Sequence, residues 1–185
     1  MRILLLASGT GSLARAICEA RIPGVEIAAL LSDKQCPALN LAQEFNFASQ
    51  IIPMQDDRLM WDNELIKAVR GFAPELVVSV GFMRILSAAF ITEFATINTH
   101  PALLPLFPGA HAVRDALAAQ ATVTGTTVHW VDEGVDTGAI IAAQEISILA
   151  GDNESTLHER IKIVERALIV ETLTSFALKG IPENC

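Results

Sequence analysis

Short hydrophobic runs alternate with longer segments of helical periodicity through the first half of the chain. The strand-like runs cover residues 2–7, 25–31, 50–53 and 75–81, and the helical segments between them cover residues 12–20, 37–45 and 58–72. The run at 76–80 is almost wholly aliphatic, which is typical of a strand buried on both faces of a sheet. The alternation predicts βαβ units and therefore a parallel sheet.

The pattern changes after residue 90. It predicts one more strand at 96–99, a proline-rich loop at 101–109, a helix at 112–119, strands at 122–131 and 139–148 joined by a loop, and a helix from about 155 to 178. Polar capping residues at 152–155 open this last helix, and Gly180 and Pro182 end it. We predict an α/β fold with an open, mostly parallel, Rossmann-like sheet, helices on both of its faces, and a single domain over residues 1–185.

Composition narrows the classes of protein to which the chain can belong. The 185 residues include 13 Lys and Arg against 21 Asp and Glu, a net charge of −8 that argues against nucleic-acid binding. Hydrophobic residues make up 51% and charged residues 18%, which favours a large core over disorder, while the apolar runs are too short to span a membrane. The cysteines Cys18, Cys36 and Cys185 form no CxxC pair, and we expect a reducing, cytoplasmic location and no metal site.

The first candidate for chemistry is the segment SGTGS at residues 8–12, between the first strand and the first helix. Glycines at this place let backbone amides approach a phosphate, and the helix N-terminus favours an anion. The segment is neither GxGxxG nor a P-loop. The alternative is a tight turn with Ser12 as the helix N-cap.

The second candidate is the pair Asn98 and His100, at the end of a predicted strand. Residues two apart in a strand share a face, so we expect the two side chains to point the same way. An amide can stabilise an oxyanion while an imidazole moves a proton, and acyl transfer requires both. A purely structural histidine is the alternative.

The third candidate is Asp136, in the glycine-containing loop at 132–138. A carboxylate near His100 would orient the imidazole and favour its protonated form. Alternatively, Asp136 is only a turn residue before Gly138. Among the other histidines, His129 is a possible buried structural partner of the site.

Five segments, taken in order, resemble the folate-dependent phosphoribosylglycinamide formyltransferases across essentially the whole chain. They are SGTGS at 8–12, GFMRIL at 81–86, NTHPALLP at 98–105, FPGAH at 107–111, and GTTVH at 125–129 followed by VDTG at 135–138. The resemblance implies a formyltransferase-type fold that carries a formyl group from 10-formyltetrahydrofolate to the amine of glycinamide ribonucleotide. It also implies a cis bond between Leu104 and Pro105.

The resemblance assigns roles to individual residues. Asn98 would bind the formyl oxygen as it becomes an oxyanion, His100 would stabilise that charge and protonate the leaving folate nitrogen, and Asp136 would keep His100 protonated and help to remove the amine proton. Substrate binding would fall to Gly11, Ser12, Leu13 and Glu165. Folate binding would fall to Arg58, Met83, Arg84, Ile85, Leu86, Asp132, Glu133, Gly134 and Val135. No metal is implied.

The resemblance divides the domain into a phosphate-binding half, residues 1–100, and a folate-binding half with the C-terminal helix, residues 101–185. It also shows departures from the family. Leu13 stands where many members carry Asn, and Lys162 and Arg166 replace the usual Gln and His beside Glu165. For Met83, Ile85 and Leu86, ordinary core packing is the alternative to lining a folate pocket.

Other functions stay open at this point. Methionyl-tRNA formyltransferases normally carry a further tRNA-binding domain, which we do not expect here, but a 10-formyltetrahydrofolate hydrolase or a phosphometabolite-binding module without catalysis is possible. We expect two small-molecule substrates, no nucleic acid and no membrane as partners, and either a monomer or a homodimer.

Overall fold

A computed structural model describes residues 1–182 of the chain. Within them, seven strands form one sheet: β1 (Arg2–Leu6), β2 (Glu26–Ser32), β3 (Ala48–Ile51), β4 (Leu76–Ser79), β5 (Thr96–His100), β6 (Val123–Trp130) and β7 (Ile140–Ser147). The α-helices are α1 (Ser12–Ala20), α2 (Asn40–Phe45), α3 (Arg58–Phe72), α4 (Ala88–Glu93), α5 (Ala112–Ala118) and α6 (Glu154–Lys179). The α/β fold class is as predicted.

The strands lie in the order β3-β2-β1-β4-β5-β6-β7. All pairings from β3 to β5 are parallel, whereas β6 is antiparallel to β5 and β7 is antiparallel to β6. The prediction of a mostly parallel sheet is therefore confirmed. Because parallel strands end at one edge, the loops after β1, β2, β4 and β5 share the side of the sheet where ligands bind in such folds.

Helices cover both faces of the sheet, as predicted. Ile3 and Leu5 of β1 join the hydrophobic cluster under α1 and α6, whereas Leu4 and Leu6 join the cluster under α3 and α4. All four side chains are fully buried. Burial on both faces explains why this strand shows a continuous hydrophobic run instead of alternation.

Two helical segments differ from the sequence prediction. The predicted helix at 37–45 is a short 3-10 turn at Pro37–Leu39 followed by α2. Helix α4 was not predicted, because six residues are too few to show a helical period. Its start nevertheless has a signal in the sequence, since the Ser87 hydroxyl accepts a hydrogen bond from the Phe90 backbone N–H at 3.4 Å.

Three further expectations concern small features. The Leu104–Pro105 bond is cis, as expected. No helix in residues 1–182 combines the length and the hydropathy needed to cross a membrane. Cys18 and Cys36 are buried and form no disulfide, and Cys185 lies outside the described residues.

Candidate active site

The pairing of β5 with β6 positions the first residues of the candidate site. Asn98 on β5 lies opposite His129 on β6, and the amide Nδ2 of Asn98 is 3.4 Å from Nε2 of His129. His100, two residues further along β5, turns to the same face, as the strand period predicted. The sheet register therefore brings an amide and two imidazoles together.

The loop between β6 and β7 adds a carboxylate to this face. Asp132 holds the loop in shape, because its Oδ1 accepts hydrogen bonds from the backbone of Gly134 at 3.0 Å and from the hydroxyl of Thr137 at 2.7 Å. Asp136 adopts a left-handed conformation with φ of 55°. At Gly138, a Cβ atom would lie 1.8 Å from the carbonyl oxygen of Trp130, so only glycine fits there.

Asp136 and His100 meet in the folded chain, which sequence spacing alone left open. Oδ2 of Asp136 lies 3.2 Å from Nδ1 of His100 and accepts a hydrogen bond from the backbone N–H of Gly109 at 2.8 Å. The interpretation of Asp136 as a simple turn residue is therefore wrong. The proline-rich loop contributes to the same site through Gly109.

Both ring nitrogens of His100 face oxygen acceptors. Nδ1 faces the Asp136 carboxylate, and Nε2 lies 2.8 Å from the carbonyl oxygen of Phe107. The side chains of His100 and Asp136 are only 5% and 12% exposed, so water screens the charges weakly. Each ring nitrogen thus has an oxygen atom within reach, one from a carboxylate and one from the backbone.

His129 completes what we call the catalytic cluster: Asn98, His100, His129 and Asp136. It is 2% exposed, its Nδ1 lies 2.8 Å from the carbonyl oxygen of Trp130, and its Nε2 lies 3.5 Å from Oδ1 of Asp136. The buried structural partner considered from the sequence is therefore present. Burial alone would raise the pKa of Asp136, but hydrogen bonds from His129 and Gly109 and the nearby histidine charges outweigh it, so the pKa is lowered.

The turn before α1, residues 8–12, presents the N-terminus of that helix at the same edge of the sheet. Gly11 is the N-cap residue, with φ of 77° and no side-chain capping hydrogen bond. The alternative of Ser12 as N-cap is therefore wrong. A Cβ atom on Gly11 would lie 2.7 Å from Cβ of Ala38, so a glycine is required, and the first amides of α1 are left without a side-chain cap.

Known proteins are similar to this chain over nearly its whole length. Residues 1–173 match the family described as formyl transferase. The chain is 46% identical to a phosphoribosylglycinamide formyltransferase of Mycobacterium tuberculosis, over 97% of this chain and 86% of that protein, and 36% identical to the one of Escherichia coli K12, over 96% and 87%. The crystal structure of glycinamide ribonucleotide transformylase 1 from Symbiobacterium toebii superposes with a TM-score of 0.93 at 33% identity, covering 99% of this chain and 91% of that one.

The chain belongs to the phosphoribosylglycinamide formyltransferase family. The resemblance inferred from the five segments, and the formyltransferase-type fold it implied, are thus confirmed.

Within this formyltransferase, one departure from the family pattern, Leu13, lies in the first turn of α1. Leu13 is 8% exposed and packs in the core cluster that includes Leu168 and Ile169 of α6. Its side chain is therefore turned away from solvent, and this position offers a ligand its backbone rather than its side chain.

Glu165 is a buried acid of α6, with 6% exposure. Burial raises its pKa, although a hydrogen bond from Thr99 and the positive charges of Lys162 and Arg166 act in the opposite direction. Thr99 lies between Asn98 and His100 on β5 and faces the other side of the sheet. The two unusual cations therefore lie near enough to influence a predicted ribonucleotide contact.

The predicted folate residues of the formyltransferase lie in three places around β4. Met83 and Ile85 are 67% and 62% exposed, so core packing is the wrong interpretation for them, whereas Leu86 is a core residue at 8% exposure. Arg58 at the start of α3 reaches this loop, because its Nη2 donates a hydrogen bond to the carbonyl oxygen of Ile85. The guanidinium of Arg58 also lies 4.9 Å from the centroid of the Trp61 ring.

The remaining predicted folate residues, Asp132, Glu133, Gly134 and Val135, lie on the loop that carries Asp136 and are exposed. Val131, which precedes them, packs in the same hydrophobic cluster as Leu86. The two predicted folate segments are therefore anchored to one part of the core.

Residues 1–182 contain no group of three or more His, Cys, Asp or Glu side chains placed to hold a metal ion.

Two open grooves, of about 470 and 540 Å³, lie elsewhere on the formyltransferase. The first lies beside α1 and β2, the second lies between β7 and α6, and no predicted site residue lines either. The site is therefore recognised by its chemistry and its position in the sheet.

Proposed function

We propose that the chain transfers the formyl group of 10-formyltetrahydrofolate to the amine of glycinamide ribonucleotide, which gives formylglycinamide ribonucleotide and tetrahydrofolate in purine biosynthesis. The relatives in several organisms carry the corresponding name. The observation that carries the proposal is the catalytic cluster, in which a buried imidazole lies between a carboxylate and a carbonyl oxygen beside an amide. A binding module would have no use for this arrangement.

The reaction requires one bond to form and one to break. The amine nitrogen of the ribonucleotide attacks the formyl carbon, and the carbonyl oxygen becomes an oxyanion. The bond from the formyl carbon to the folate nitrogen then breaks, that nitrogen gains a proton, and the amine loses one. The enzyme must therefore stabilise an oxyanion and supply a proton, and it needs no covalent intermediate.

In this proposal Asn98 donates its amide N–H to the oxyanion. Its Nδ2 faces His129 at 3.4 Å, and His129 is itself held by the carbonyl oxygen of Trp130. Asn98 is positioned by the pairing of β5 with β6, so its amide needs little reorganisation when the charge develops, which is the main source of electrostatic catalysis.

His100 stabilises the same charge and delivers the proton to the folate nitrogen. In the free protein, Nε2 faces the carbonyl oxygen of Phe107 and Nδ1 faces Asp136. The Asp136 contact balances the imidazolium charge, so the contact with Phe107 is the one that a substrate atom replaces. Asp136, ionised because its pKa is lowered, favours the protonated ring and accepts the amine proton through water.

The binding roles follow the same geometry. The uncapped amides at Gly11, Ser12 and Leu13 suit the substrate phosphate, and Glu165 suits a ribose hydroxyl. The exposed side chains of Met83 and Ile85, with backbone groups of Arg84 and Leu86 and of the loop at 132–135, suit the pterin.

The predicted halves of the single domain, 1–100 and 101–185, need one adjustment in this proposal. The 82–86 loop serves the folate although it lies in the first half, and Glu165 serves the ribonucleotide although it lies in the second. We keep the proposal of a cytoplasmic enzyme, monomeric or homodimeric, because its substrates belong to one-carbon and purine metabolism.

The test is a spectrophotometric assay of the folate product formed from 10-formyltetrahydrofolate, with and without glycinamide ribonucleotide. We expect turnover that depends on the ribonucleotide. Equal product formation without it would indicate the hydrolase instead. Binding of the folate without any product would indicate the binding module.

A further inference from the structure

The 82–86 loop follows β4 and has no regular secondary structure. It exposes Met83 and Ile85 to solvent, the two apolar side chains that the proposed function assigns to the pterin. A loop that exposes apolar side chains cannot be held in place by burying them. Leu86 anchors the end of the loop in the core, so the conformation of residues 83–85 depends on hydrogen bonds and ion pairs from neighbouring elements.

Two strand ends supply such contacts. After β1, the backbone N–H of Ser8 donates to the carbonyl oxygen of Gly81 at 3.1 Å, and the Ser8 hydroxyl accepts from the backbone N–H of Met83 at 3.0 Å. After β2, Oδ2 of Asp33 accepts a hydrogen bond from Nε of Arg84 at 2.7 Å. The loop is thus tied to the carboxyl ends of β1 and β2 across the sheet.

Asp33 is the unusual member of this set. Its side chain is fully buried, whereas Arg84 is 38% exposed. A buried carboxylate loses its hydration, and an ion pair restores that loss only where the geometry is good, so an apolar residue would serve stability equally well. The cost of burying this charge therefore points to a role other than stability.

We propose that Asp33 is a positioning residue for folate binding, and that its buried carboxylate acts through Arg84 to hold the 82–86 loop in the shape that receives the pterin. The proposal rests on the proposed function, and it adds a residue that the comparison of motifs did not assign. Asp33 itself contacts no substrate.

The charge state of Asp33 is consistent with this role. Burial alone would raise its pKa, but the Ser8 hydroxyl and the Arg84 guanidinium outweigh burial, so the pKa is lowered. Asp33 is therefore ionised at neutral pH. Both partners of the hydrogen bond between Arg84 and Asp33 are charged, so this bond is stronger than one between neutral groups and orients the Arg84 side chain.

The loop is held from the opposite side by Arg58, which donates to the carbonyl oxygen of Ile85 and is paired with Asp62 at 2.8 Å. This contact is with backbone, and it does not involve Arg84. Loss of Asp33 should therefore loosen the loop at residues 83–84 without releasing it entirely, so folate binding should weaken while the chemistry continues.

The test compares Asp33→Ala with Asp33→Asn. In Asp33→Ala we expect the KM for 10-formyltetrahydrofolate and the Kd for tetrahydrofolate to rise about tenfold, the effect of losing one charge-assisted hydrogen bond, with kcat changed less than about threefold. The KM for the ribonucleotide should not change. In Asp33→Asn the amide oxygen still accepts from Arg84, so we expect both folate constants to return to within about threefold of the wild type.

Two further variants make the test specific. Arg84→Ala removes the link from the other end and should reproduce the rise in the folate constants, which covers the case in which Asp33→Ala does not fold. Glu93→Ala is the matched control, because Glu93 forms a two-bond ion pair at 2.7 Å with Arg70, which is not part of the loop, and it should leave both folate constants unchanged.

Unchanged folate constants in both Asp33→Ala and Arg84→Ala would overturn the inference. So would an equal loss in kcat and in both KM values, since that pattern indicates general structural damage. Calorimetric binding of tetrahydrofolate separates this inference from the proposed function: a wild type that binds the folate but shows no transfer refutes the function, while the Asp33 variants still report on the loop.

Discussion

The catalytic cluster and the 82–86 loop lie at the same edge of the sheet, but different forces hold them in place. Three members of the cluster sit on or next to paired strands, where backbone register sets their positions. The 82–86 loop has no such register and is tied by side chains from β1, β2 and α3. The proposed catalytic residues are thus positioned by the backbone and the proposed folate loop by side chains, so single substitutions can alter the two separately.

The largest effect should come from the cluster. His100→Ala removes the proposed proton donor and half of the oxyanion site, and we expect kcat to fall by about 10³-fold, within the range of general acid catalysis. Binding of both substrates, measured by calorimetry, should stay within a few-fold of the wild type, because the ring lies on a strand whose pairing does not depend on it. Near-normal turnover would remove His100 from the mechanism.

Asp136→Asn should have the next largest effect, about 10²-fold on kcat, because the amide keeps the shape of the side chain but not its charge. Loss of the negative charge removes the partner of the proposed proton donor, so the pH profile of the rate should shift. The lowered pKa of Asp136 also predicts how the stability of the fold depends on pH. Since the pKa of Asp136 is lowered in the folded state, its carboxylate stabilises the fold above its ordinary pKa of 3.8, and this contribution is lost as pH falls through the folded value.

Melting curves of this variant against wild type should accordingly show a lower Tm at pH 7 and a smaller difference below pH 4. A rate profile identical to that of the wild type would show that the Asp136 charge does not act on His100.

Gly138→Ala tests whether the loop between β6 and β7 must keep its shape. The added Cβ would lie 1.8 Å from the Trp130 carbonyl oxygen, so the loop has to move and carry Asp136 with it. We expect a fall of about tenfold in kcat/KM and a loss of about 2 kcal/mol in the free energy of unfolding, within the range for strained backbone positions.

The matched control is Gly71→Ala in α3, where a Cβ meets no atom within 4 Å. This variant should retain activity and gain about 0.5–1 kcal/mol, the helix preference of Ala over Gly. Equal activities in the two variants would contradict a fixed loop.

The smallest effect on catalysis should come from Glu165→Gln. Burial raises the pKa of Glu165, so ionisation at neutral pH destabilises the fold; the stabilising protonated form is lost as pH rises from the ordinary value of 4.5 through the folded value. The glutamine can still accept from Thr99, and we expect Tm at pH 7.5 to rise by about 2–4 °C, the shift that about 1 kcal/mol produces in a domain of this size.

The same substitution should raise the KM for the ribonucleotide by about threefold, the cost of exchanging a charged acceptor for a neutral one. It should leave the KM for the folate unchanged. An unchanged Tm together with unchanged ribonucleotide binding would show that the acid serves neither stability nor substrate.

Sequence reasoning was most successful where a pattern repeats. The period of two along β5 placed Asn98 and His100 on one face, and the fully apolar β1 indicated a strand covered on both sides. Prediction from the sequence was weaker for short elements. It did not find α4, although Ser87 is a residue type that often caps the start of a helix. The predicted bounds of α1, residues 12–20, match the structure, and only the alternative of Ser12 as its N-cap is wrong, because a left-handed Gly11 takes that position.

Asp33 shows a different kind of limit. An acid after a strand followed by Lys34 is typical of an exposed turn, and nothing local in the sequence predicts a fully buried carboxylate. Its partner, Arg84, lies 51 residues away, and only the pairing of β1 with both β2 and β4 brings the two strand ends together.

Hydrophobic periodicity and ordered motifs were enough to predict the α/β class, the mostly parallel sheet and the formyltransferase family, because both can be read without the folded chain. Only the folded chain shows that Asp136 meets His100, that His129 joins them, and that Asp33 pairs with Arg84 of the 82–86 loop. Those contacts arise where distant strands end side by side, and water is excluded from the charges, which strengthens their interaction, only after the sheet has formed.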